Sequence, residues 1–100
     1  MTMKPILKNE EKNIKDIVFK FIDPNEYKIF IFGSRATGKA RKFSDYDIGV
    51  EGKKPVVWET MALAKEAFEE SDLPFRVDLV DFSFVSDKFR KTALLKIKKL

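Results

Sequence analysis

Two apolar runs rich in aromatic and β-branched residues, Tyr27 to Phe32 and Tyr46 to Val50, are joined by the stretch Gly33-Ser34-Arg35-Ala36-Thr37-Gly38-Lys39-Ala40-Arg41-Lys42-Phe43-Ser44-Asp45. The runs read as buried strands, and the stretch as the loop between them. Glycine at 33 and 38 lets the backbone turn tightly and approach a ligand. A loop of free N–H groups with a hydroxyl, flanked by Arg35, Lys39, Arg41 and Lys42, attracts phosphate. Asp45 and Asp47 follow two apart on extended backbone, so both side chains leave one face, with Cα atoms roughly 6.6 Å apart. Such a pair can share hard cations. A phosphate cradle joined to a divalent-metal site is what transfer of a nucleotidyl or phosphoryl group requires. Mg²⁺ is held by one or two carboxylates plus phosphate oxygens, and two ions roughly 3.5–4 Å apart steady the attacking and leaving oxygens.

Gly33-x-x-x-x-Gly38-Lys39 after a strand is also most of a Walker A loop. That motif needs Ser or Thr after the lysine to hold Mg²⁺, and here Ala40 follows. Arg41-Lys42-Phe43-Ser44 leads into a strand, whereas a P-loop wraps the N-terminus of a helix.

The spacing Gly-Ser, ten residues, Asp-x-Asp resembles the signature of DNA polymerase β-like nucleotidyltransferases, and most closely their short branch, the minimal nucleotidyltransferases (MNT). Gly33-Ser34-Arg35-Ala36-x-Gly38 and Ser44-Asp45-x-Asp47 carry the resemblance. It implies an α/β nucleotidyltransferase fold, a short mixed sheet packed with helices, and a third carboxylate on a third strand.

One hundred residues, 44% of them hydrophobic with ten Phe, four Gly and four Pro, predict one globular domain over 1–100. Cysteine and histidine are both missing. That excludes disulfide frameworks, Ser-His and Cys-His catalysis, and the usual zinc sites. The N-terminal residues Met1 to Glu11 meet charge too soon for a signal peptide, and no apolar run approaches a bilayer span, so a cytoplasmic protein without membrane contact is expected. A net charge of +4 favours anionic partners without separating nucleotide, RNA and acidic protein; solubility alone also accounts for it.

From about Glu10 to Ile22, the residues Ile14, Ile17, Val18, Phe21 and Ile22 form the stripe of an amphipathic helix. Asn9 is its expected N-cap, Glu10 and Glu11 suit the positive end of its dipole, and Asp23-Pro24-Asn25 stops it. In the second strand, about Ser44 to Glu51, Ile48 and Val50 should face the core while Asp47 faces the site. A second helix is expected from about Pro55 to Ser71, with Val57, Met61, Ala64 and Phe68 inward and Trp58 a partly buried packing residue rather than a base-stacking platform. Phe75 to Asp81 reads as the third strand. Asp78 in its middle is costly unless paired or on a metal, which makes it the natural third carboxylate; an ion pair with a nearby Lys or Arg is the competing reading. Asp81 reads as a turn or capping residue. Ser83 or Ser86 caps a last helix whose stripe is Val85, Phe89, Ala93, Ile97 and Leu100, widened by Leu94 and Leu95. Its basic surroundings read as a solvated face, with docking as the second reading.

The resemblance implies roles. Gly33 N–H groups and Ser34 hold the triphosphate, Arg35 helps with phosphate charge, and Lys39, Arg41 and Lys42 lie at the rim. Asp45, Asp47 and Asp78 are the catalytic, metal-binding carboxylates for two Mg²⁺ ions, with Asp78 at the ion that activates the acceptor hydroxyl. The chemistry is attack on the α-phosphorus of ATP or another NTP. In this branch the resemblance further implies a toxin–antitoxin system: the MNT protein is the antitoxin and transfers AMP to a tyrosine of its partner, a HEPN-domain ribonuclease toxin. Alternatives are transfer to an RNA 3′ end or a small molecule, and a non-catalytic module that masks its partner.

Overall fold

In the computed structural model, which describes residues 6–42 and 44–100, the chain runs α1 (Ile6–Val18), β1 (Tyr27–Phe32), α2 (Ser34–Thr37), β2 (Tyr46–Gly52), α3 (Trp58–Glu69), β3 (Val77–Asp81), α4 (Asp87–Ala93) and β4 (Lys98–Lys99). The strands pair in the order β3-β2-β1-β4. β1 is antiparallel to both β2 and β4, whereas β2 and β3 are parallel. A parallel pair needs a long crossover, and α3 supplies it.

Alternation along the strands sorts the side chains onto two faces. Ile29, Ile31, Tyr46, Ile48, Val50 and Leu79 leave one face and pack beneath α1, through Ile14 and Val18, and α3, through Met61, Ala64 and Phe68. The other face is also cored. Phe30, Phe32 and Phe82 meet there, with Phe82 edge-on to both at 5.0 and 5.2 Å, covered by Ala93, Leu94 and Ile97. Gly49 makes room for this cluster, since a Cβ at 49 would stand 2.5 Å from the Phe30 ring and 2.7 Å from Phe82. Ile48 and Val50 face the larger core and Asp47 the other side, as expected, but the face that carries Asp47 also holds a second core.

Element boundaries depart from expectation in ways with physical causes. α1 begins at Ile6 and ends at Val18, so Asn9 lies inside it rather than at its N-cap position. Glu10 is buried on the same stripe as Ile14 and Val18 instead of meeting the helix dipole. Ile22 still reaches the core, from the turn after the helix. The chain before Ile6, where charge argues against a signal peptide, lies outside the described residues, as does Phe43. α3 starts at Trp58 rather than Pro55, so Val56 is buried in place of Val57 and Trp58 is 75% exposed. It is not a packing residue. β3 starts at Val77, two residues later than expected.

The last helix is short. Ser86 caps it, accepting from the Phe89 N–H at 3.1 Å, but it ends at Ala93. Beyond it Lys98–Lys99 pairs with β1 and the Leu100 N–H donates to the Ile29 carbonyl. Ile97 and Leu100 are thus not on a helical stripe, and Leu95 is exposed. No helix among the described residues is long and apolar enough to cross a membrane.

Candidate active site

Strand register decides where the carboxylates stand. Phe32 is opposite Asp47, and Asp47 is opposite Asp78, so the three side chains form a row across one face of the sheet. Neighbouring strands lie about 4.8 Å apart, which makes Asp47 and Asp78 direct neighbours. Asp45 is exposed and lies just before the first paired residue of β2. Burial pushes the Asp47 carboxyl above its usual range, and the charges of Asp78 and then Asp45 push it further. The three sequence-predicted aspartates are thus brought into one electrostatic neighbourhood. They are not a closed cage: among the described residues no three carboxylates converge at metal-holding spacing. The donor set is nevertheless all hard oxygen, and its accumulated like charge is what a divalent cation neutralises. The residues fit such an ion.

Asp78 also has the competing partner expected for it. The Arg76 guanidinium stands 3.5 Å from Asp78 Oδ1, with the two side chains 78% and 46% exposed. A pair that open to water holds Asp78 weakly.

Gly33 leaves β1 with φ 74° and ψ −151°, a conformation essentially restricted to glycine. The close approach matters as much, because a Cβ at 33 would lie 2.4 Å from Asp47 Oδ2. The glycine lets the Asp47 carboxylate lie against the start of the loop. After Gly33 comes a single helical turn, α2, where an open loop is expected from sequence; Ala36 and Thr37 donate to the Gly33 carbonyl, and Gly38 closes the turn in the left-handed region at φ 82°. The first N–H groups of such a turn have no partner within it and face outward as donors. Ser34 and Arg35 supply them. Lys39, Arg41 and Lys42 are exposed beyond the turn.

Arg35 is placed differently from its sequence-predicted role. Its side chain is only 7% exposed and turns inward. Nε and Nη2 donate to the Ser44 carbonyl at 3.2 and 2.8 Å, and Nη2 also donates to the Lys42 carbonyl at 3.3 Å. The guanidinium stacks over the Tyr46 ring at 4.2 Å. Tyr46 in turn donates its hydroxyl to Glu10 Oε1 at 2.8 Å. Burial first, and then this hydrogen bond, push the Tyr46 phenol above its ordinary range. The Arg35 guanidinium is engaged by the loop carbonyls. Sequence reasoning missed Glu10 and Tyr46. The signal was present: Glu10 precedes Ile14 and Val18 at intervals of four on the apolar stripe, where a carboxylate needs a buried partner.

A cavity of about 770 Å³ opens along the edge of β3, lined on this face by Phe32, Asp47, Asp78, Val80 and Phe89. Phe89 is 43% exposed and edge-on to Phe32 at 6.0 Å. The arrangement joins a carboxylate row, a glycine-backed turn and a recess with an aromatic wall.

Comparison with known proteins shows the family and the fold. The family described as nucleotidyltransferase domain matches residues 9–100. The chain is 41% identical over 85 residues, 85% of its length and 74% of the relative's, to a probable protein adenylyltransferase, MntA, of Haemophilus influenzae. Among solved structures it is similar to a toxin–antitoxin complex with AMP-PNP, at 27% identity and a TM-score of 0.61, covering 91% of this chain and 71% of the other. It also shares its fold with the structure of a tri-AMPylated HEPN toxin of Shewanella oneidensis in complex with MNT antitoxin, at 23% identity and a TM-score of 0.60, covering 92% and 69%.

Proposed function

The chain belongs to the nucleotidyltransferase domain family, and from that premise we propose that it is an antitoxin that transfers AMP from ATP to a tyrosine of a partner HEPN toxin. The reading rests on one observation above all: Asp47 and Asp78 stand side by side with Gly33 against the Asp47 carboxylate. The relative named as a protein adenylyltransferase supports protein as the acceptor. The toxin–antitoxin complexes support the toxin partner.

The reaction is nucleophilic attack by the tyrosine hydroxyl on the α-phosphorus, with pyrophosphate as leaving group and the hydroxyl proton released to a carboxylate. Gly33 and Ser34 hold the β- and γ-phosphates through backbone N–H groups and the serine hydroxyl. The family uses a divalent metal, and we assign Asp45, Asp47 and Asp78 to hold two Mg²⁺ ions, whose chemistry when bound is to neutralise the phosphate charge and to polarise the attacking and leaving oxygens. Asp78, at the open edge of the sheet, is the residue we assign to receive the proton. Phe32 and Phe89 wall the recess. Positioning and charge neutralisation supply most of the acceleration in such a transfer. We take the protein to act in the cytoplasm as a single catalytic domain.

The test is incubation with Mg²⁺ and ATP labelled at the α- or the γ-phosphate in extract of its source cells, beside an Asp78→Asn variant. The expected result is α-label, without γ-label, in one protein band, lost with the variant. α-Label in RNA would replace protein by RNA as the acceptor. Transfer undiminished in Asp78→Asn would remove the carboxylate mechanism.

A further inference from the structure

Asp47 and Asp78 are placed by the sheet, but Asp45 is not. The ladder between β1 and β2 ends at the pair Phe32 and Asp47, so Asp45 lies beyond it. On the other side β2 joins its neighbour from Tyr46 onward, where Tyr46 pairs with Val77 and its N–H donates to the Arg76 carbonyl at 2.9 Å, so Asp45 lies just outside this ladder too. Asp45 is therefore held between Tyr46, which the sheet fixes, and the preceding peptide, which contacts outside the sheet must fix. The oxygen of that peptide is the Ser44 carbonyl, and it accepts from two nitrogens of one guanidinium, at 3.2 and 2.8 Å.

We propose that Glu10, Arg35 and Tyr46 form a buried latch that fixes the Ser44–Asp45 peptide and so positions Asp45 as a metal ligand. The inference rests on the assignment of Asp45 as a metal-binding carboxylate and adds three positioning residues to it. Arg35 is itself held on every side. Tyr46 lies beneath its plane at 4.2 Å, Phe75 stands 5.7 Å away, and Glu10 Oε1 is 3.9 Å from Nη1 while accepting from the Tyr46 hydroxyl. The latch spans α1, α2 and β2, three elements that meet at the root of the loop.

The energetics favour a directional role. A buried arginine–glutamate pair adds little stability over apolar residues of similar volume, because both charges lose their water. Its contribution is geometric, since the planar guanidinium fork can grip two carbonyls at fixed angles and a lysine cannot. The same burial keeps the guanidinium away from phosphate. Partners that orient metal ligands typically change metal affinity or activity by about 10–100-fold when replaced.

The test uses Arg35→Lys, which keeps the charge and loses the fork, and Tyr46→Phe, which keeps the ring and loses the bond to Glu10. Asp47→Asn serves as control. Mn²⁺ binding is measured by electron paramagnetic resonance on the nucleotide-free protein, folding by circular dichroism and urea titration, and loop release by trypsin cleavage after Lys39, Arg41 or Lys42. The expected result is a folded Arg35→Lys protein with Mn²⁺ bound roughly tenfold or more weakly and with faster cleavage in the loop than elsewhere. Tyr46→Phe should shift both readouts the same way and keeps the test intact if Arg35→Lys does not fold. Lower stability with unchanged Mn²⁺ affinity in both latch variants, while Asp47→Asn loses binding, overturns the latch and leaves the site assignment standing. Unchanged Mn²⁺ binding in Asp47→Asn as well overturns both.

Discussion

Gly33 and Gly38 differ in ψ, −151° against 9°, and in what surrounds them, and both differences predict unequal costs. Both have positive φ, but a Cβ at 33 strikes the Asp47 carboxylate whereas one at 38 meets nothing within 4 Å. Gly33→Ala is expected to lose about 1–3 kcal/mol from backbone strain alone and to abolish transfer by displacing Asp47. Gly38→Ala should stay folded and retain most activity. Urea titration and α-label transfer on the two variants check this.

Asp47 itself opposes stability. Its folded carboxyl holds a proton more tightly than the unfolded one, whose pKa is about 3.9. Stability is therefore lost as pH rises through the raised folded value, and none of this loss is present below the unfolded value. Asp47→Asn should melt higher than the parent at neutral pH without divalent metal, with the difference vanishing in acid, while transfer is lost. Thermal melts from acid to neutral pH, with and without Mg²⁺, test the sign.

At the level of elements, Asp81 joins two of them at once. One of its oxygens accepts from the Val56 N–H and the other from the Ser83 N–H, each at 2.9 Å, which ties the start of α3 to the end of β3. Asp81→Ala should cost roughly 1–3 kcal/mol by leaving these donors without a charged acceptor, measured by urea denaturation, with α-label transfer by the folded protein retained. The sequence reading of Asp81 as a turn residue agrees with this contact.

β1 was legible to its end residues because its apolar run is bounded by a turn before and glycine after. The start of α3 was not. Pro55 is a good first helical residue, yet Val57 is extended at φ −55° and ψ 131° and the helix waits until Trp58. Nor could periodicity reveal that Lys98–Lys99 would leave helical spacing to cover the edge of β1. That choice is made by a strand from the first third of the chain. The placement of Asp47 beside Asp78 was legible because a carboxylate inside an apolar strand demands a partner. The burial of Arg35 was not legible, because it depends on Glu10 arriving from another helix.

Across the whole molecule the sheet is a wall between two cores of unequal size, the larger under α1 and α3 and the smaller built on three phenylalanines. The smaller one floors the site. Phe82→Ala should cost about 3–5 kcal/mol, a large part of the roughly 5–15 kcal/mol typical of a folded domain. It should also slacken Phe32 and Phe89, so transfer at low temperature should fall further than the folded fraction does. Comparing turnover per folded molecule with urea titration separates the two effects.

The parallel register of β2 with β3 makes the site a gauge of correct assembly. Side chains alternate faces, so a slip of β3 by one residue would turn Asp78 under α3 and bring Leu79 beside Asp47. A sheet misaligned in this way cannot assemble the carboxylate row, however much apolar surface it buries. Any cation that binds the row therefore favours the one alignment that creates it, and metal supplied during refolding should raise the yield of correctly paired molecules by mass action. Catalytic competence and strand alignment are then a single measurement.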